Sequence, residues 1–284
     1  MTSWQIQAAK DPNTSPEILS SLFDNPECHD FLIKNPSSPG GLLAALGIKE
    51  AFTSDPMNRR ISVANVLREA PTAEIIERIL VWTEGSLNVL QEGEREESVS
   101  LTKALKHYFY PSAASNPNTP VKYLEEFSRS DYKVTLSNLC PNPSLPLNIV
   151  NQFAEKLIAA TTDEEINTYD RIVSNPKLSR KYLTIFSKHP KFYVRAGVAR
   201  NPNTPDEVQI ELASDLDSGV FFGLQFNPNL CEEALLMMCQ RTKQDVRKST
   251  QWVNEYYNNL KNKALVGHYS KSIKELVLSA NWPT

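Results

Sequence analysis

Glycine is scarce in this chain, with nine in 284 residues against nineteen prolines. That count disfavours folds that wrap a cofactor phosphate in a glycine-rich loop, and no GxGxxG, Walker A, GxSxG or HExxH pattern occurs. Cysteine is equally little used. Cys28, Cys140, Cys231 and Cys239 contain no CxxC spacing, which excludes a disulfide scaffold, a zinc ribbon and a redox motif. Four reduced thiols, mostly buried in helices, are expected instead. His29, His107, His189 and His268 share no metal-ligand spacing, so no metal or cofactor is expected. Long apolar runs are missing too. The most apolar early run, Gly40 to Ile48, is nine residues, against the roughly 20 needed to span a bilayer. The opening MTSWQIQAAKDPNTS lacks a signal-length apolar core, so a soluble cytoplasmic chain with no membrane contact is expected. Neither sign of charge dominates: 30 basic and 33 acidic residues leave −3, which gives no global case for binding a polyanion. At 40% hydrophobic residues the chain is not wholly disordered.

What the chain has in excess is Asn-Pro. The pair occurs seven times, ending at Pro26, Pro36, Pro117, Pro143, Pro176, Pro202 and Pro228, where chance predicts about 1.5. Six copies open similar segments: NPSSPGGLL from Asn35, NPNTPVKYL from Asn116, NPSLPLNIV from Asn142, NPKLSRKYL from Asn175, NPNTPDEVQ from Asn201 and NPNLCEEAL from Asn227. A related DPNTSPEIL begins at Asp11. Proline-to-proline steps are 24 from Pro12 to Pro36, 26 from Pro117 to Pro143, 33 to Pro176, then 26 and 26 to Pro228. The long step carries a polar insertion, TTDEEINTYD, from Thr161 to Asp170.

Residues 187–212 show the logic of one unit. Thr204, Pro205 and Glu207 read as a helix start with a capping box, followed by Val208 and Leu212 on one face. Val194, Val198 and Ala199 mark a preceding, shorter helix. Pro202 biases Asn201 away from helix and ends it. A short helix, an Asn-Pro break and a longer helix would expose one apolar face alone and bury it when stacked on copies.

Weaker copies extend the pattern. Residues 55–80 resemble the unit with its Asn-Pro degraded, and DVRKSTQWVN from Asp245 repeats VRAGVARN with one extra residue. The expected organisation is one continuous solenoid: N-terminal repeats over 1–80, a period-breaking helical insertion over 81–115, further repeats over 116–254 and a helical cap over 255–284. The insertion holds EGEREE from Glu92 and HYFYP from His107.

The segment from Val194 to Asp215, VRAGVARNPNTPDEVQIELASD, resembles the leucine-rich repeat variant family, and the Asn-Pro segments carry the likeness over most of the chain. The resemblance implies an all-α fold without strands: α and 3₁₀ helices alternating in a right-handed superhelix, an α/3₁₀ solenoid of the armadillo and HEAT kind. Some members carry a cysteine-rich iron–sulfur module, but Cys28 is the only cysteine before position 140, so that module is not expected. The family implies no single activity, and function must be read from a site.

No catalytic constellation is legible, and a non-enzymatic chain is expected. Glu164/Glu165 and Glu232/Glu233 are sequence neighbours that point about 100° apart on a helix, so they do not converge on a substrate. The Asn residues would form a ladder along a stack, read as hydrogen-bonding the turn backbone and ending the preceding helix. Arg195 and Arg247 hold matching repeat positions and are expected to pair with acids in a neighbouring turn. The strongest functional feature is charge. Residues 171–205 contain eight basic side chains and no acid, while 206–240 contain seven acids and no base. In a solenoid such blocks stay separate in space. With Tyr182, Phe186, Phe192 and Tyr193 interleaved, the basic block suits a partner protein or an acidic peptide segment. The candidate contact residues are Arg180, Lys181, Lys188, Lys191, Tyr193, Arg195 and Arg200. The alternative is a nucleic-acid-binding solenoid, against which the adjacent acidic zone counts. A helical-repeat glycosylase would need a carboxylate in a basic groove, and the sequence nominates none.

Overall fold

The computed structural model describes residues 4–22, 25–39, 67–68, 70, 72–77, 79–81, 109–245 and 269. The chain divides into two compact units, residues 1–149 and 150–284. The division falls within the 116–254 stretch of the sequence reading. Among the described residues every regular element is helical and none is a strand. Most of the 81–115 insertion, the DVRKSTQWVN copy beyond Asp245, Arg247, His107, His268 and all of the 255–284 cap except Tyr269 lie outside the described residues.

In the first unit the helices described from end to end are α1 (Trp4–Lys10), α2 (Pro16–Ser21), α3 (His29–Lys34), α4 (Tyr110–Ser115), α5 (Val121–Phe127) and α6 (Lys133–Leu139), and residues 73–77 and 79–81 are also helical. A 3₁₀ turn, Pro26–Cys28, precedes α3. Helix α7 (Leu147–Ala159) runs across the division. The second unit continues with α8 (Asp163–Tyr169), a 3₁₀ helix (Asp170–Ser174), α9 (Arg180–Phe186), α10 (Phe192–Arg200), α11 (Asp206–Ala213), α12 (Ser218–Gln225) and α13 (Glu232–Asp245).

The Asn-Pro pair ends a helix for two separate reasons. Proline has no N–H to continue the ladder, and it holds the preceding Asn in extended backbone, with ψ of 124° at Asn116, 126° at Asn175 and 130° at Asn201. The chain then makes a tight turn in which the Asn carbonyl accepts from the residue three on, as Thr119 N–H to Asn116 at 3.1 Å and Thr204 N–H to Asn201 at 3.2 Å. The Asn side-chain oxygen accepts from the residue two on, at 2.8–2.9 Å for Asn118, Ser144, Lys177, Asn203 and Asn229. This is the local turn role read from the sequence.

The other end of the same side chain was not foreseen. In the first unit Asn35 Nδ2 donates to the carbonyls of Ala9 (2.9 Å) and Asp11 (2.8 Å), and Asn142 Nδ2 to those of Ala114 (2.7 Å) and Asn116 (2.9 Å). In the second, Asn201 donates to Val173 (2.6 Å) and Asn175 (3.0 Å), and Asn227 to Ala199 (3.0 Å) and Asn201 (2.8 Å). Each Asn thus ties its turn to the turn before it. A second rail runs beside the first. Ser37 Oγ donates to Pro12, Ser144 Oγ to Pro117, Asn203 Nδ2 to Pro176 and Asn229 Nδ2 to Pro202. Asn35, Asn116, Asn142, Asn175, Asn201 and Asn227 are all buried, so these bonds satisfy groups that water does not reach.

The ladder also shows how the insertion is bridged. Asn116 Nδ2 donates to Leu67 (2.8 Å) and Ala70 (3.1 Å), and Asn118 Nδ2 to Ala70 (3.0 Å), so the turn at 116 pairs with backbone more than forty residues earlier. The preceding turn is therefore at Ala70. Ala70 lies inside the 55–80 segment that resembles the repeat unit with its Asn-Pro degraded.

The 187–212 unit needs two corrections. Its helices are nine residues (α10) and eight (α11), so the second is not the longer. Thr204 does not cap α11, whose N-cap is Pro205 with no side-chain bond. Its buried hydroxyl donates backwards to the Val198 carbonyl at 2.5 Å, a second bond to a helix-end carbonyl that also accepts from Asn201 N–H at 3.0 Å. Thr119 does the same to Ala113 and Ser38 to Leu32. Where this fourth position is Leu (Leu145, Leu178, Leu230) it is buried in the core. The capping box sits instead in the polar insertion. Thr162 Oγ1 accepts from Glu165 N–H (3.2 Å) and Glu165 Oε2 accepts from Thr162 N–H (3.0 Å) at the start of α8. Val208 and Leu212 are buried on one face, as their spacing implies.

Candidate functional site

The basic block is placed by α9 and α10. Arg180 and Lys181 begin α9, Lys188 follows its end, Lys191 is the N-cap of α10 and Arg200 its last residue. A nine-residue helix rises about 12 Å from first to last residue, so the block is spread over two ends of a helical pair.

At one end the cations are occupied. Arg195 makes a two-pronged contact to Asp215, Nε to Oδ2 at 2.7 Å and Nη2 to Oδ1 at 3.1 Å. Its Nη1 donates to the carbonyls of His189 (2.9 Å) and Pro190 (3.1 Å). Asp215 lies 20 residues on, in the turn after α11, so the pairing expected for Arg195 with a neighbouring turn is present. Burial works against the Asp215 carboxylate, but the Arg195 guanidinium and the Asp217 N–H prevail and hold it below the usual carboxylate range. Arg241 braces the same turn, donating to the Ala213 carbonyl at 3.3 Å and to that of Asp215 at 2.5 Å. Lys191 pairs with Asp163 at 2.6 Å, and Lys188 pairs with Glu211. His189 Nδ1 accepts from Lys191 N–H at 3.1 Å, and burial pulls its pKa down, keeping the ring neutral.

At the other end Arg180, Lys181 and Arg200 are exposed, and none belongs to an ion pair among the described residues. The Lys181 ammonium lies 5.5 Å from the centre of the Tyr182 ring, and the Arg200 guanidinium 5.6 Å from that of Phe226. Phe226 is 62% exposed, at the C-cap of α12.

The aromatics divide similarly. Tyr182 and Phe186 are buried and stacked, with the Tyr182 hydroxyl donating to Glu155 at 2.6 Å. Phe192 is 47% exposed and meets Tyr193 edge to face. The Tyr193 hydroxyl donates to Asn167 Oδ1 at 3.0 Å. Phe226 was missed from the sequence because it lies outside the basic block. Superposing the repeats would have found it: Lys34, Ser115, Pro141, Ser174, Arg200 and Phe226 share the column before Asn-Pro, and Phe226 is the one aromatic among them.

Other chemistry is structural where it is described. Cys28, Cys140 and Cys239 are buried free thiols, and burial pushes the partly exposed Cys231 thiol up, away from thiolate. Among the described residues no group of His, Cys, Asp and Glu could hold a metal ion, and no helix is long and apolar enough to cross a membrane. The chain matches no protein-family model, no curated protein and no solved structure.

Proposed function

We propose that this chain is a non-enzymatic, cytoplasmic repeat scaffold that binds another protein or a peptide segment. Within each compact unit the repeats are read as successive turns of a right-handed α/3₁₀ superhelix, in the manner of the leucine-rich repeat variant family. The observation that carries the reading is the Asn ladder within each unit. The same buried side chain joins successive turns at steps of 24 to 28 residues. A stack held by its own interior groups leaves its helix ends and outer faces for recognition. The exposed cations of α9 and α10 and the exposed Phe226 supply charge and an aromatic anchor, which are features of protein-binding surfaces.

The test is affinity purification of the tagged full-length chain from its native cell, with and without nuclease. Mass spectrometry and nucleic-acid extraction follow, then calorimetry with the purified partner. A protein that binds at fixed stoichiometry after nuclease treatment supports the scaffold. Retention that depends wholly on nucleic acid overturns it in favour of a nucleic-acid-binding solenoid.

A further inference from the structure

The seven candidate contact residues fall into two chemically different sets. Lys188, Lys191 and Arg195 are each held by an acid of the same unit: Glu211, Asp163 and Asp215. A partner carboxylate arriving there has to displace an existing one, so the net gain is small. Arg180, Lys181 and Arg200 carry no such competitor among the described residues. Their positive charge is presented to solvent.

The stacked Asn-Pro turns bring this second set to one edge. Asn201 bonds to the Asn175 carbonyl and Asn203 to that of Pro176, while Asn227 bonds to Asn201 and Asn229 to Pro202. Arg180 leaves the first of these turns, and Arg200 and Phe226 immediately precede the second and third. Phe226 keeps more than half its surface in water at this edge, covered on one side by the Arg200 guanidinium.

The same edge has a second polarity. The positions of Arg180 and Lys181 are filled one repeat later by Asp206 and Glu207, both exposed. A nucleic acid carries a negative charge at every step and meets these two carboxylates unfavourably. A polypeptide can change its charge along its length. We propose that the Asn-Pro edge of α9 to α12 is a docking surface for an extended segment of a partner protein with an acidic portion followed by a neutral or basic one. The acidic portion meets Arg180, Lys181 and Arg200, an apolar side chain packs on Phe226, and the later portion lies along Asp206 and Glu207. This rests on the scaffold reading and names the partner's chemistry and the edge it uses.

The test is fluorescence anisotropy of the full chain with three labelled probes. One is a peptide with a Glu-rich first half, a central Phe and a Ser/Lys-rich second half; the others are an all-Glu peptide and oligothymidylate. The mixed peptide is expected to bind more tightly than either of the other two. R180E/K181E/R200E should weaken it by about tenfold or more, and F226A by a smaller factor. K188E/K191E should leave it within about twofold, because those cations are already paired. R180Q/K181Q/R200Q serves where the reversal lowers helicity by circular dichroism, and should lose the same preference. Three outcomes overturn the proposal: an unchanged affinity in the Gln or Glu triple variant, a larger loss in K188E/K191E, or oligothymidylate binding more tightly than the mixed peptide. Failure of every probe to bind also overturns it. The scaffold reading stands apart from that result, because it is decided by whether a native protein partner binds after nuclease treatment.

Discussion

Replacing Asn201 with Asp changes one atom group of a buried side chain and reverses what it offers the turn before it. The native amide donates to Val173 at 2.6 Å and to Asn175 at 3.0 Å while its oxygen accepts from Asn203 N–H at 2.9 Å. A carboxylate can only accept, so Asp keeps the third bond and sets an oxygen against two carbonyl oxygens. The Asn175 carbonyl keeps the Leu178 N–H at 3.1 Å, while the Val173 carbonyl loses the amide. A buried carbonyl left without a partner costs about 1–3 kcal/mol, each further lost bond about 1 kcal/mol, and Asn201 is 1% exposed, so water does not replace the lost donors. We expect Asn201→Ala to cost about 3 kcal/mol and Asn201→Asp at neutral pH to cost more, because it adds repulsion and the burial of a charge. At a urea m value of about 2 kcal/mol/M, a 3 kcal/mol loss lowers the midpoint of the second unit's transition by about 1.5 M. The sign of the pH effect is fixed. Burial raises the folded pKa of an Asp at this site, so the protonated form is favoured in the folded state. The deficit of Asn201→Asp shrinks as pH falls and grows as pH rises through that raised value. Asn203→Asp is the control: Asn203 is exposed and loses one bond, to the Pro176 carbonyl, so the change should stay within about 1 kcal/mol. Urea unfolding followed by circular dichroism measures all three. An Asn201→Asp variant no less stable than Asn203→Asp would refute the claim that the ladder holds the turns together.

Three further perturbations test the packing and the clips. In Gly223→Ala the new Cβ lies 2.6 Å from the Ala196 carbonyl oxygen and 2.9 Å from Ala199 Cβ, so α10 and α12 must separate; unfolding should show a loss of about 1–3 kcal/mol, and a stabilised variant would mean helix propensity outweighs the close approach. Thr204→Val removes the hydroxyl bond to Val198 and should cost about 1 kcal/mol, while Thr204→Ser and Glu207→Ala stay near wild type; a large loss in Glu207→Ala would restore the capping-box reading of α11. Asp215 has a lowered folded pKa, so its contribution is present above the unfolded carboxylate value and is lost as pH falls through the folded one. Arg195→Gln should flatten that acid-side fall in urea midpoint, and an unchanged profile would place the pH dependence elsewhere.

The amino-acid sequence by itself determined the helical class and the places where helices end. Both follow from local physics. Proline removes a donor and constrains its predecessor wherever it stands, so Asn201-Pro202 ends α10 without reference to any neighbour. Spacing likewise put Val208 and Leu212 on one buried face. The charge blocks were legible because they are contiguous in sequence.

Tertiary structure alone decided where the polar side chains go. Thr204 stands three residues before Glu207 in the order a capping box requires, yet its hydroxyl donates to the Val198 carbonyl behind it, and α11 starts from a Pro205 N-cap with no side-chain bond. The Asn amides have a local acceptor role that sequence can read, but their two donors go to a turn 24 to 28 residues earlier within the repeats and 46 to 49 earlier at Asn116. The basic block is divided in the same way. Lys191 finds an acid in the polar insertion before it and Arg195 one in the turn after α11, while Arg180, Lys181 and Arg200 meet none among the described residues. Backbone preferences are properties of a residue and its immediate neighbours. A hydrogen bond or an ion pair between distant residues depends on which groups folding brings within about 3 Å, and no local rule encodes that.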